Sequence, residues 1–448
     1  MDGRPHSEDA RKLVHIGFGA CAFLLRTLDW RQAALLAAIA LAFNVLVMPR
    51  VGRGIYRPAD RLRKYAHGIV FYPLAVLLLV LAFPFRLDIA AAAWAILAFG
   101  DGAASLVGAR AGGPRIPWNP DKSIAGSSAM FVFGSVGGVM LAWWCSPGAQ
   151  PPPAHWYVIV APIAAALVAA LVETVPVRLD DNLSVPAAAA AVLWALSLVR
   201  VDLVPAALAA ASASIVPAVA VNGAIAWIGF RARTVTTAGA VAGALIGIAI
   251  VVSAGWGAWA LLVATFLTAA ATSRMGLRRK KILGIEEERG GRRGPGNAIA
   301  NTGLAAAAAL ISAVSEARAV ALLAFTAALA AGGSDTIASE IGKAWGKRTF
   351  LVTSLRPVRP GTSGAISLEG TIAGLAGASL LAAIGVAAGL IQPTWLAPVV
   401  IGATIGAVAE SFLGATLEDP GIVNNDLLNF FTTAIAAAAA VLLARAWT

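Results

Sequence analysis

The chain has 448 residues, is 59% hydrophobic and 13% charged, and has a mean hydropathy of +0.79, where a soluble globular protein carries ~25% charged residues. Long apolar runs recur along its length, which excludes a soluble enzyme, and the formal charge of +11 is read as a membrane-orientation signal with no nucleic-acid partner. Cys21 and Cys145 lie in apolar runs, and His6, His15, His67 and His155 are scattered, which excludes a disulfide framework and a cysteine–histidine metal centre.

In chain order, a polar start, "MDGRPHSEDARK", does not read as a cleavable signal. Apolar segments follow at 13–28, 32–49, 66–84, 88–107, 123–144, 156–174, 184–199, 203–229, 238–252, 256–272, 297–314, 318–334, 364–390, 395–415 and 427–446. Pro217 makes 203–229 a candidate for two pieces. The expected fold is all-α, a polytopic integral membrane protein of about 15 transmembrane helices in two related bundles, residues 1–200 and 201–448. With the N-terminus inside and strict alternation, the outer connections hold only Arg26, Arg31, Arg86, Arg200, Arg318 and Arg445; every other lysine and arginine falls inside. That asymmetry places the N-terminus and the long polar loops in the cytoplasm and the C-terminus outside, in a membrane expected to be the bacterial inner membrane.

The halves repeat a pattern. Asp101-x-x-Ala104-Ser105-x-x-Gly108 recurs as Asp335-x-x-Ala338-Ser339-x-x-Gly342 at one constant offset. Residues four and seven apart share a helical stripe, so each carboxylate and hydroxyl face the same way with small residues beside them. Such a pair can bind hydrated Mg²⁺, and a carboxylate at membrane depth is functional by default. After the first pattern come Lys122, Ser123, Gly126 and Ser127 at a helix start; after the second come Arg356, Arg359, Thr362 and Ser363. Hydroxyls, backbone N–H groups and basic side chains at a helix N-terminus suit an anion. Acidic loops then follow: Glu173, Asp180, Asp181 and Asn182 in the first half, and Glu410, Glu418, Asp419, Asn424, Asn425 and Asp426 in the second. Two Arg-Lys-x-x-His copies, Arg11 to His15 and Arg63 to His67, begin helices and read equally as lipid contacts or as parts of a site.

On "RKLVHIGFG", "GDGAASLVGARAGG", "IPWNPDKSIAGS" and "VETVPVRLDDNLSVP", residues 10–200 resemble the phytol kinase and dolichol kinase families, in the larger group that contains CDP-diacylglycerol synthase. On "RRKKILGIEEERGGRRGPGNAIAN", "SDTIASEIGKAWG", "PGTSGAISLEGT" and "ESFLGATLEDPGIVNNDLLN", residues 205–448 resemble the family that includes the plant phytyl-phosphate kinase. The resemblance implies a fusion of two CTP- and Mg²⁺-dependent kinases. The first half would phosphorylate a long-chain isoprenoid alcohol, and the second would carry the monophosphate to the diphosphate. It implies catalytic roles for Asp101, Lys122, Asp181, Asp335 and Asp426, and metal contacts from Asp101, Glu173, Asp335 and Glu410. Ser105, Ser123, Gly126, Ser127, Arg279, Lys280, Asn297, Ser339, Arg356, Arg359, Thr362, Ser363 and Asn425 become nucleotide- or substrate-binding candidates. The alternatives are a cytidylyltransferase forming a CDP-lipid and a secondary transporter built on internal repeats.

Overall fold

The computed structural model describes residues 6–51, 67–285, 292–418 and 422–447. Arg63 to Ala66 of the second Arg-Lys-x-x-His copy, and Asp419, lie outside them. The chain forms two compact units, Met1–Ser197 and Leu198–Thr448. It is an all-helical integral membrane protein: among the described residues, eleven helices are long and apolar enough to cross a membrane, with Gly68–Ala82 as a shorter apolar helix.

In the first unit α1 (His6–Gly19) runs into a 3₁₀ stretch, Ala20–Arg26. Helices α2 (Trp30–Leu46), α3 (Met48–Val51), α4 (His67–Ala82) and α5 (Leu87–Ala95) follow. A π-turn, Ile96–Asp101, joins α5 to α6 (Gly102–Ala111). An antiparallel hairpin, β1 (Arg115–Ile116) and β2 (Asn119–Ser123), leads into α7 (Ile124–Cys145), α8 (His155–Glu173) and α9 (Asp181–Ser197). In its most apolar 18-residue stretch the α5–α6 segment has 83% of its residues buried, against 39% and 44% for the same measure in α7 and α8, so it forms the axis of the unit. Its run of alanines, Ala90 to Ala93, lets neighbouring backbones approach closely.

The second unit holds α10 (Val204–Arg231), α11 (Thr237–Arg274), α12 (Leu277–Leu283), α13 (Pro295–Val314) and α14 (Arg318–Trp345). A second hairpin, β3 (Thr349–Leu351) and β4 (Ala365–Ser367), precedes α15 (Leu368–Ala387). Helix α16 (Leu396–Leu413) ends in a π-turn, Gly414–Glu418, and α17 (Asn425–Trp447) closes the chain. Helix α14, which carries Asp335, has 78% of the residues in its most apolar 18-residue stretch buried and takes the axial place of this unit.

As expected, residues 238–252 and 256–272 are two helices, and the chain folds back between them at Gly255 (φ 86°). The bend is required because Asn222 touches both Gly247 and the Trp259 indole, residues that a straight helix would hold about 18 Å apart. Helix α10 runs unbroken through Pro217. Both basic loops ahead of α7 and α15 contain short β-hairpins.

Candidate functional site: two acidic centres beside β-hairpins

In the first unit Asp101 closes the π-turn of the axial segment. A π-turn shifts the helical register by one residue and is a common device at functional sites. Here the Asp101 carboxylate is buried, 8% exposed, and accepts a hydrogen bond from Lys12 Nζ at 2.9 Å. His15 Nε2 lies 3.6 Å from the same oxygen and 3.4 Å from the Leu97 carbonyl oxygen.

The hairpin delivers the next charge. Trp118 Nε1 donates to Thr174 Oγ1 and Asn119 Nδ2 to the Thr174 carbonyl, each at 3.1 Å, clamping β2 to the end of α8. Lys122 therefore meets Glu173, the last residue of α8, at 2.7 Å and Asp181, the first of α9, at 3.0 Å. Burial pulls the Lys122 ammonium down, but Asp181 and Glu173 outweigh it and hold its pKa above the ordinary lysine value. One oxygen from each of Asp101, Glu173 and Asp181 lies within 4.8 Å of the others. Glu173 is 5% exposed, yet its Oε2 has no hydrogen-bond partner, and neither does the buried Ser127 Oγ. Ser123 caps α7, its Oγ accepting from Gly126 N at 3.1 Å. A Cβ on Gly126 would sit 3.1 Å from the Ala104 carbonyl oxygen, so glycine sets how closely α7 approaches α6.

The second unit repeats this frame with different charges. Ser367 caps α15 by accepting from Gly370 N at 3.1 Å, and a Cβ on Gly370 would meet the Ala338 oxygen at 2.6 Å. Ala104, Gly108, Ser123 and Gly126 thus correspond to Ala338, Gly342, Ser367 and Gly370. The position of Lys122 falls to Ile366. Asp335 hydrogen-bonds to Glu410 of α16, and Glu410 Oε2 accepts from Thr432 Oγ1 at 2.8 Å. Lys343 lies near enough to act on Asp335 and donates to Glu340 at 3.1 Å.

The structure thus gathers Asp101, Lys122, Glu173 and Asp181 into one cluster, with Ser105 one turn along α6, and it pairs Asp335 with Glu410. Lys280, expected on a nucleotide, is buried in an ion pair with Glu340 and also donates to the Ser273 carbonyl at 2.7 Å, so two of its three N–H groups are committed to the protein. Thr362 Oγ1 donates to the Arg359 carbonyl at 2.8 Å, and Ser367 takes the cap position that Thr362 and Ser363 were expected to fill. Arg279, Arg356 and Arg359 are exposed. Ser339 donates back to the Thr336 carbonyl of its own helix, and the Asn297 carbonyl accepts from Asn301 Nδ2. Asn425 is exposed at the first turn of α17, while the Asp426 carboxylate lies against Gly296 at the start of α13.

Lys12 and His15, undecided from sequence, prove to touch Asp101, and the motif that carries them was the available signal. Ser367 was missed, though Ser-x-x-Gly occurs at both 123–126 and 367–370. Thr432 and Lys343 carried no sequence signal.

Residues 220–437 match the family described as integral membrane protein DUF92. An uncharacterized membrane protein of Synechocystis, sll0875, is 38% identical over 200 residues, 44% of this chain and 78% of that protein. Phytol kinase 1 of Arabidopsis thaliana chloroplasts is 32% identical over 197 residues, 40% of this chain and 63% of that kinase. A farnesol kinase from the same plant is 30% identical over 189 residues, 39% of this chain and 61% of that kinase. No solved structure matches. The chain belongs to this integral membrane family.

Proposed function

We propose that the chain is a two-step isoprenoid kinase. Its first half phosphorylates a long-chain isoprenoid alcohol with CTP as donor and Mg²⁺ as cofactor, and its second half, fused to it, phosphorylates the monophosphate onward. Relatives named phytol kinase and farnesol kinase support the substrate class. The carrying observation is the Asp101–Glu173–Asp181 cluster, interleaved with Lys12 and Lys122 and holding a buried, unpartnered carboxylate oxygen on Glu173.

The residues fit the groups implied. Hard carboxylate oxygens within 4.8 Å of one another suit Mg²⁺, and Glu173 Oε2 is an unclaimed donor among them. Asp101 and Glu173 would hold the ion in the first half, Asp335 and Glu410 in the second. Mg²⁺ supplies neutralisation of the phosphate charge, while Lys122 adds a fixed cation beside it. Phosphoryl transfer needs alignment and charge compensation more than covalent help from the protein. The acceptor hydroxyl oxygen bonds to the γ-phosphorus, the bond from that phosphorus to the β,γ-bridging oxygen breaks, CDP leaves, and the hydroxyl proton passes to a carboxylate of the cluster. An alcohol dissolved in the bilayer and a nucleotide from the cytoplasm can meet only at the inner interface. The reading therefore places these loops and the N-terminus on the cytoplasmic side of a bacterial inner membrane, with the C-terminus outside.

The test is to supply purified protein with CTP, Mg²⁺ and farnesol or phytol and to identify the nucleotide released. CDP with a lipid phosphate supports the proposal. Pyrophosphate with a CDP-lipid would reassign the chain to cytidylyl transfer.

A further inference from the structure

The N-terminal helix contributes a face that the proposed reaction has not yet used. Along α1, Lys12, His15, Ile16 and Gly19 turn inward at helical spacing, while Leu13, Val14 and Phe18 are each more than half exposed. A Cβ on Gly19 would strike Ala98, and one on Gly102 would strike Ile16, so this face lies directly along the π-turn that ends in Asp101. His15 is fixed on a second side. Its ring packs edge-on against Tyr72 at 4.5 Å, the Tyr72 hydroxyl donates to the His15 carbonyl at 3.4 Å, and that hydroxyl accepts from Trp94 Nε1 at 2.7 Å. Lys12 has a long flexible stem, and its side chain remains 13% exposed.

Resting on the kinase reading above, we propose that Lys12 is a donor-phosphate ligand of the first-half site: its ammonium leaves Asp101 for the nucleotide polyphosphate when Mg²⁺–nucleotide binds. Charge balance requires such an exchange. In the cluster Lys12 and Lys122 face Asp101, Glu173 and Asp181, so their charges nearly cancel. A carboxylate that turns to a metal releases its lysine, and an arriving polyphosphate is the anion that lysine can follow at least desolvation cost. The two lysines reach the cluster from different elements, Lys122 from β2 and Lys12 from α1, so together they can bracket one polyphosphate. His15, held by Tyr72 and Trp94, keeps α1 in register while Lys12 moves. In the second unit Asp335 faces Glu410, and the lysine near it is Lys343 of its own helix, so Lys12 belongs to the first step.

The test uses full-length protein in lipid nanodiscs with Lys12→Met, Lys12→Gln and Lys12→Arg. Three quantities are read: the nucleotide KM of the alcohol step, equilibrium binding of β,γ-imido-CTP, and the thermal midpoint. Loss of one charge-assisted phosphate contact should raise KM and weaken binding about tenfold in the Met and Gln variants. Lys12→Arg should recover most of both, and the nucleotide KM for added monophosphate should not move. Glutamine can still hydrogen-bond Asp101, so Lys12→Gln carries the test should Lys12→Met fail to fold. Unchanged KM and unchanged analogue binding, whatever happens to kcat or the thermal midpoint, would make Lys12 a strut and overturn the proposal while leaving the kinase reading intact. Wild-type protein that binds no nucleotide and transfers no phosphate overturns both.

Discussion

Asp101→Asn removes one charge from the first centre at almost constant shape. Three consequences follow from the structure. The amide offers Lys12 a weaker acceptor at 2.9 Å, leaves His15 without its anionic neighbour at 3.6 Å, and takes one oxygen from the group that would hold Mg²⁺. Losing one preorganised electrostatic group aimed at developing charge typically costs about 3–4 kcal/mol of transition-state stabilisation, or ~10²–10³ in kcat. Asp101 and Asp335 belong to separate compact units, so the loss should fall on one step. The assay runs alcohol-to-monophosphate and monophosphate-to-diphosphate separately, each with its own acceptor, in the same membranes. Alcohol turnover should drop at least a hundredfold while added monophosphate is converted at the wild-type rate. Full alcohol turnover in Asp101→Asn, or equal losses in both steps, would refute the reasoning.

Asp335→Asn should do the reverse, so that monophosphate accumulates from alcohol, as chromatography of the lipid products would show. Lys280→Met leaves the buried Glu340 with Lys343 as its remaining cation, at a cost of up to about 3 kcal/mol. A lower thermal midpoint is expected, with recovery in the double variant Lys280→Met, Glu340→Leu; nucleotide KM should be unaffected in the double variant if the pair is structural. Gly370→Ala would press a methyl carbon to 2.6 Å from the Ala338 carbonyl oxygen, a contact that backbone must yield to relieve. Loss of the monophosphate step with retention of the alcohol step is expected, measured with the same paired assays.

Much of this architecture was readable from composition. Apolar length carries the helices because a bilayer demands internal hydrogen bonding over a fixed thickness. The two aspartates were readable because a repeated carboxylate in an apolar run has no cheap structural explanation, and both lie on the most buried helices. The partners were less legible. Lys280 and Lys122 look alike in sequence, but Lys280 is fully enclosed with Glu340, 60 positions away, and Lys122 meets carboxylates 51 and 59 positions away. Such pairings are set by helix packing, to which local periodicity is blind. The start of α15 was misplaced by a few residues because Thr362 and Ser363 have cap chemistry too. Only the close approach of Gly370 to Ala338 and of Gly342 to the Ser367 hydroxyl identifies Ser367 as the counterpart of Ser123.

The central claim is that each acidic centre directs one phosphoryl transfer to an isoprenoid acceptor. It is tested most directly by following γ-labelled CTP into lipid with purified wild-type protein and the Asp101→Asn, Asp335→Asn double variant. Label should pass from wild-type incubations into mono- and diphosphates of farnesol or phytol, and into neither with the double variant. Label that never reaches lipid in the wild type, or reaches it undiminished when both aspartates are gone, contradicts the account.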